Sequence, residues 1–433
     1  MCWTRSPSSI SKRPCACWPR PVSRGSSEMI VLAKIGLVVA LLLVLIRLKW
    51  DLGLVLFLNT CLTAVLFGMR PVPFGRAALT GATSWETLEL AGIIVLVLYL
   101  GEFLQSSGAF RTMVEALKNL IRDDRLILAV PSAFIGLLPM MAGAMMGAPI
   151  VDEAGRRWNL TPAWKTFFNY WFRHIWEYWW PLYLNIILAA AIFKVPLWKV
   201  SLYQAPFTLV AVGAGLFVLL RNIPRLPRES SNGGTWRDAA RVVGSIWPIV
   251  LTIVLIFAFR MNMLLALALA SALTQVTVRM GRASRWGIVV RSFSPKIVWL
   301  IVALMIFKEV LEASGALDAV VRVIPPHGLS AYVLLFAAPF LVALLTGVNQ
   351  AFVAISFPLL VPIVGTGSPD MVLMTFAYVS GFCGILLSPA HLCLALTADY
   401  FKAEMRDVYR ILIGPVAVVF AAVLLELLIF RVF

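Results

Sequence analysis

Apolar runs recur along this chain, each close to the length needed to cross a bilayer as a helix, which takes about 20 residues. They lie at about 30–47, 51–69, 86–110, 166–193, 199–220, 243–259, 262–278, 297–317, 372–400 and 411–431. No single core can hide them. Of the 433 residues 61% are hydrophobic and 13% charged, against about 45–50% and 25% in a soluble globule. The expected fold is an all-α polytopic membrane protein with about ten transmembrane helices, one per run. The loops left over are short, which excludes a large soluble domain and with it most soluble enzymes and nucleic-acid binders. The net charge of +16 is no argument for nucleic acid, because the basic residues sit mainly in loops, where they report topology. The implied partners are the lipid bilayer and a small solute.

Two further apolar stretches, 126–151 and 330–365, are broken in the middle by small or helix-breaking residues, Leu137 to Pro149 in the first and Leu344 to Pro358 in the second. Irregular backbone at membrane depth is tolerated only where protein shields it or it lines a wet cavity. Both stretches are therefore expected to be re-entrant hairpins.

The chain also repeats itself. Glu102, Leu104, Ser107, Gly108 and Ala109 match Glu309, Leu311, Ser314, Gly315 and Ala316 at an offset of 207. Leu137, Leu138 and Ala144 fall on Leu344, Leu345 and Ala351 at the same offset. At 208, Phe168, Tyr170, Pro181, Leu188, Phe193, Lys194 and Val200 meet Phe376, Tyr378, Pro389, Leu396, Phe401, Lys402 and Val408. Each half then holds five crossings and one hairpin. An odd number of crossings makes the second half start from the opposite side, so the repeats are inverted.

The expected organisation is a first repeat over 29–225 with its hairpin at 126–151, a cytoplasmic linker over 226–242, and a second repeat over 243–433 with its hairpin at 330–365. Lysines and arginines divide 22 to eight between the two sets of loops once residues 1–28 are set aside. The richer side is cytoplasmic by the positive-inside rule, which puts both termini outside a plasma (inner) membrane. Residues 1–28 lack a signal-peptide apolar core and read as a disordered tail or as translation from a start placed too far upstream.

Broken elements at matching places in inverted repeats put a solute site at the midplane, with helix N-termini aimed at an anion. In the first half the candidates are Pro139, Gly143 and Ala144 at the hairpin tip, facing Pro181 and Asn185. In the second they are Thr346, Gly347, Asn349 and Gln350, facing Ser388, Pro389 and His391. Close helix packing alone also explains such small residues, and for Gly136 and Gly147 it is the preferred reading. Ionisable residues in spans are functional suspects. Glu102 and Glu309 are proton-coupling candidates, or each bonds a neighbouring backbone group. Lys308 and Glu312 have the spacing to pair with each other. Arg173, His174 and Glu177 share about one helical turn among tryptophans, and a buried structural cluster is the favoured reading.

Enzyme signals are absent: there is no HExxH, GxSxG, GxGxxG or GxxxxGK[ST] pattern. Ser388 and His391 are close enough in sequence to touch, but nothing supplies an orienting acid or oxyanion hole. The cysteines have no metal-site spacing. No cofactor or metal is expected.

The run from Pro131 to Phe193, with YWFRHIWEYWWPLY at its centre, resembles the integral membrane proteins grouped as the domain of unknown function 401 family. The resemblance extends from about Met29 to the C-terminus. It implies membership of the ion-transporter superfamily, whose relatives include gluconate, citrate and dicarboxylate carriers, with a scaffold domain, a mobile domain and two hairpins at an anion site. The carriers' sodium motif has no counterpart at Pro139-Met140-Met141-Ala142-Gly143 and only a partial echo at Thr346-Gly347-Val348-Asn349, which puts H+ ahead of Na+ as coupling ion. The expected function is a proton-coupled secondary transporter of a small organic anion, often dimeric in carriers of this type. The rival is a non-transporting scaffold or biogenesis protein on the same fold.

Overall fold

The computed structural model describes residues 24–48, 50–137, 143–226, 234–277, 282–317, 319 and 328–431. Among these there is no strand, and the chain is helix after helix. Seven helices are long and apolar enough to cross a membrane: Met29–Arg47, Pro71–Ser106, Leu197–Asn222, Arg285–Ala313, Leu329–Thr346, Met371–Phe401 and Met405–Arg431. An eighth forms if Trp236–Ser245 and Trp247–Phe257, bent by 73°, count as one broken span. The molecule is a multi-pass all-α membrane protein.

The runs at 51–69 and 262–278 give helices of 15 residues each, Leu52–Leu66 and Met263–Thr277. At about 1.5 Å per residue these are shorter than a bilayer core of about 30 Å. The run at 166–193 is split into Pro162–His174 and Leu184–Ile192.

Burial separates an outer layer from a centre. Leu209, Phe217, Val418 and Leu425 stand exposed on Leu197–Asn222 and Met405–Arg431, a surface that is stable only against lipid tails. An 18-residue stretch within Met371–Phe401 is 89% buried. Because lipid is as apolar as leucine, packing and internal hydrogen bonds must hold such a centre together. Small residues allow the close approach: a Cβ on Gly384 would meet Ala343 at 2.9 Å, and one on Gly381 would meet Pro339 at 3.0 Å.

Both interrupted stretches fold as two helices, but the interruptions are shorter than the sequence suggests. The second runs Leu329–Thr346, turns at Gly347 with φ 65°, and resumes as Asn349–Val364. Pro358 and Pro362 lie inside the resumed helix. The first runs Val130–Gly136 and resumes as Ala144–Arg156, with Pro149 inside. A proline removes one helical donor, and in a buried helix the neighbours make that tolerable. Of the first tip, Pro139 lies outside the described residues.

Local structure recurs at the spacing of the sequence matches. Gly108 and Gly315 follow the helices ending at Ser106 and Ala313 with φ of 72° and 71°. Ser107 and Ser314 donate to the carbonyls of Leu104 and Leu311 at 3.2 and 3.0 Å, and accept from Ala109 and Ala316, both at 3.4 Å. Lys194 and Lys402, with φ of 54° and 56°, end Leu184–Ile192 and Leu392–Phe401 in the same way. Tyr378 donates to the Glu177 carbonyl at 2.7 Å, and Tyr170 donates to the carbonyls of Leu386 and Ile385 at 3.3 and 3.4 Å. A shift of 208 carries Tyr170 to Tyr378 and Glu177 to Ile385. Such reciprocity, i on j′ and i′ on j, is the contact pattern of a two-fold relation.

Candidate functional site

The first broken span starts with Pro162 at a position where its missing N–H is harmless. Its inner face is filled by Phe167, Phe168 and Trp171, all nearly inaccessible. After His174 the chain leaves the helix and runs through turns to Tyr183. Pro181 bars continuation, and three side chains from this stretch satisfy carbonyls at the end of the first hairpin leg. Trp176 donates to Ala133 at 2.7 Å, Trp180 to Leu137 at 3.0 Å and Tyr183 to Gly136 at 2.5 Å. These are helix-end carbonyls that intrahelical bonding leaves orphaned.

The second broken span, Met371–Leu387 and Leu392–Phe401, meets the second hairpin likewise. Ser388 donates to Leu344 and His391 Nδ1 to Gly347, both at 2.7 Å. Shifts of 207 and 208 relate Leu137 to Leu344, Trp180 to Ser388 and Tyr183 to His391. A Cβ on Gly347 would meet the backbone of Ala390 and His391, so this tip sits directly on the break.

Between the two breaks and the second tip lies a cavity of about 370 Å³ whose polar wall includes Arg173, Glu177, Asn185, Asn349, Gln350 and His391, with Asp51 and Lys296 farther around. Arg173 Nη1 donates to Glu177 Oε1 at 3.0 Å, and Asn349 Nδ2 donates to Glu177 Oε2. Asn185 Nδ2 donates to the Tyr378 hydroxyl. Four helices begin at the wall, where Leu52 and Gly53, Leu184 and Asn185, Asn349 and Gln350, and Leu392 and Cys393 are the first two residues of their helices; Asp51 caps the first, and the other three have no side-chain cap. Helix N-termini carry partial positive charge and free N–H groups, so the three uncapped ones at this cavity favour an anion. A slightly larger cavity, about 420 Å³, lies among Glu86, Glu89, Lys194, Trp198 and Arg260. Like the smaller cavity it is lined by two acidic and two basic side chains, and the starts of Leu197–Asn222 and Met263–Thr277 reach it together with Glu86 in the first turn of Trp85–Ser106.

Of the residues singled out from sequence, Asn185, Gly347, Asn349, Gln350 and His391 meet at the smaller cavity. Thr346 is buried behind it, its hydroxyl accepting the Val348 N–H at 3.2 Å. Gly143 packs on the Arg173 guanidinium, where a Cβ would come within 3.0 Å of Nε. The Ala144 carbonyl accepts from Asn169 at 2.8 Å. Pro181 is buried at the first break, whereas Pro389 is exposed and lines a separate cleft with Asp399 and Lys402. The packing reading suits Gly136 and Gly147, whose Cβ atoms would collide with the Arg173 carbonyl and the Asn169 side chain.

Glu102 binds Arg291 at 2.5 Å and Ser106 at 3.2 Å, and neither it nor Glu309 lines the cavity. Lys308 pairs with Glu86 at 3.2 Å rather than with Glu312, because its side chain is 3% exposed and points across the packing between helices instead of along its own surface. Arg173, His174 and Glu177 are buried as expected, yet Arg173 and Glu177 also form cavity wall. Ser388 and His391 are each turned toward a hairpin carbonyl and not toward one another as nucleophile and base. Sequence reasoning passed over Asn169 and Tyr378 as site residues, although Tyr378 stood out as a repeat partner of Tyr170.

A family model described as "Protein of unknown function (DUF401)" matches residues 27–430, and the chain belongs to that family. No curated protein matches it.

Proposed function

We propose that this DUF401 member is a secondary active transporter of a small organic anion, coupled to protons and working by elevator-type alternating access. The observation that carries the reading is the convergence of three uncapped helix N-termini, an arginine and three side-chain amides on one cavity of about 370 Å³, enough for a small carboxylate and little more. The matched glycine caps, matched hairpin ties and reciprocal tyrosine bonds support two inverted repeats, with each hairpin and its broken span forming a moving unit. The exposed aliphatic helices would then remain with the lipid. A place among the ion-transporter carriers follows from the same reading, as do the 22-to-eight division of basic loop residues and the outside location of both termini.

The test is thermal unfolding of the purified chain with a panel of mono-, di- and hydroxycarboxylates, amino acids and inorganic anions. A ligand at 100 times its Kd stabilises by about 2.7 kcal/mol. The expected result is stabilisation by a carboxylate, lost in Asn349→Ala and Gln350→Ala, and uptake of the same anion by proteoliposomes. A folded chain stabilised by none of them, with no uptake, favours the scaffold reading.

A further inference from the structure

We infer that His174 and His391 share one proton between their Nε2 atoms, and that this proton sets the charge of the cavity and hence whether it accepts an anion. Calling it the coupling proton rests on the carrier reading above.

The two Nε2 atoms are 3.1 Å apart, and the rings lie 5.2 Å apart, edge to face. Each Nδ1 faces a backbone carbonyl, that of Tyr170 at 2.6 Å for His174 and that of Gly347 at 2.7 Å for His391. A carbonyl only accepts, so each Nδ1 carries hydrogen. A neutral imidazole has a single N–H, which leaves two Nε2 lone pairs facing each other at hydrogen-bond distance. That contact is repulsive unless something positive lies between them, and one additional proton makes it a charge-assisted hydrogen bond. Arg173 Nη1 also lies 3.5 Å from His174 Nε2, which makes His174 the acceptor and His391 the ring that carries the extra proton.

The charged and titratable groups around the pair give the proton its consequence. Arg173 and Glu177 face it from the first broken span, Glu177 Oε1 standing 3.7 Å from His174 Nε2. Tyr170 lies beneath both rings. Cys393 and Tyr183 complete the near wall, and Lys296 and Asp51 stand farther around the cavity. Arg173 cancels Glu177 and Lys296 cancels Asp51, so the shared proton leaves one surplus positive charge beside three uncapped helix N-termini. With the proton the cavity attracts an anion, and without it the attraction falls to the helix ends alone. Proton and anion therefore bind together, although the anion need not touch His174.

A divalent metal is the competing way to place positive charge here, since His174, His391 and Cys393 bring their ligand atoms within 4.8 Å of one another. The Arg173 guanidinium against His174 Nε2 opposes any added cation there, and a doubly charged metal about twice as strongly as a single proton.

The chain has three histidines, so ¹⁵N-histidine spectra of the full-length protein in nanodiscs resolve the pair, with His327→Gln removing the third signal. The expected result is two rings with Nδ1–H, one shared Nε2 proton, and joint loss of that proton as pH rises. His391→Gln should leave His174 as a lone neutral ring. Acetate, succinate or gluconate, whichever stabilises the protein, should move the loss to higher pH, by about one unit for a tenfold preference for the protonated form. Glu102→Gln and Glu309→Gln should leave the titration intact. Two bare Nε2 atoms throughout the range of about pH 5 to 8, a spectrum altered by EDTA, or a titration unmoved by a stabilising anion each overturn the inference. Failure of the carrier reading shows separately, as the absence of any stabilising anion while the histidine spectra are read on their own.

Discussion

Pro162–His174 with Leu184–Ile192, and Met371–Leu387 with Leu392–Phe401, break at corresponding points, and each ties its break to the end of its own hairpin's first leg, Trp180 to Leu137 and Ser388 to Leu344. The equipment at the two breaks differs. The first supplies a buried ion pair, Arg173 and Glu177, while Phe382 and Ile385 stand at the matching places of the second for His174 and Glu177. The second supplies His391 and a glycine tip that lies on backbone. Where the halves agree, the shared groups hold backbone carbonyls. Of the groups that differ, Arg173, Glu177 and His391 line the cavity, while Trp180 and Ser388 hold backbone carbonyls. Under the carrier reading the matched groups belong to the scaffold, and Arg173, Glu177 and His391 belong to the chemistry.

The comparison is broken most strongly at Glu177. Glu177→Ala leaves Arg173 buried without its counter-charge and frees Asn349, and it should destabilise by about 3–5 kcal/mol and abolish stabilisation by the anion. Ile385→Ala, at the corresponding place, removes a wholly buried side chain and should cost about 2–4 kcal/mol while keeping the anion response. Thermal unfolding of both variants, with and without anion, checks the contrast. An equal loss of anion response would erase the distinction between scaffold and chemistry.

Gly347→Ala comes next. The left-handed conformation alone costs a non-glycine residue about 1–2 kcal/mol, and here the new methyl also meets Ala390 and His391, so the loss should exceed that range. Gly108→Ala and Gly315→Ala have open space around the new Cβ and should lose only about 1–2 kcal/mol each, in equal measure. Denaturation midpoints measure all three, and a clear inequality between Gly108 and Gly315 would speak against a duplicated cap.

The tyrosine pair gives a smaller effect. Tyr378→Phe loses a bond of 2.7 Å and the partner of Asn185, for about 1–2 kcal/mol. Tyr170→Phe loses only bonds of 3.3 and 3.4 Å and should cost less. Smallest are Ser107→Ala and Ser314→Ala, expected within about 0.5 kcal/mol and matched to each other.

Much of this layout was legible in the sequence because long apolar runs and paired glycines are local signals. The offset that aligns Gly108 with Gly315 also matches the conformation of the two caps. Helix resumption at Ala144 and Asn349 was not legible, since Pro149, Pro358 and Pro362 carry the usual signature of a break and are tolerated only by the packing around them. Lys308 was given the wrong partner because spacing along one helix says nothing about Glu86 on another. Arg173, His174 and Glu177 read from sequence as a buried structural cluster, because the tryptophans around them are a packing signal, and they are buried; the cavity beside Arg173 and Glu177 leaves no such signal. That Asn349 and His391 come from the other half to the same cavity is a tertiary fact without a local trace.

The most direct measurement of the central claim is protection of a cysteine in the cavity. In a chain whose native cysteines are replaced, Gln350→Cys is labelled with a small soluble maleimide from each face of oriented membranes, with and without the stabilising carboxylate, beside Phe217→Cys on the lipid-facing surface. Labelling at 350 should fall when the carboxylate is present, while 217 stays unchanged. Equal labelling at 350 with and without a saturating carboxylate would contradict an anion site at this cavity.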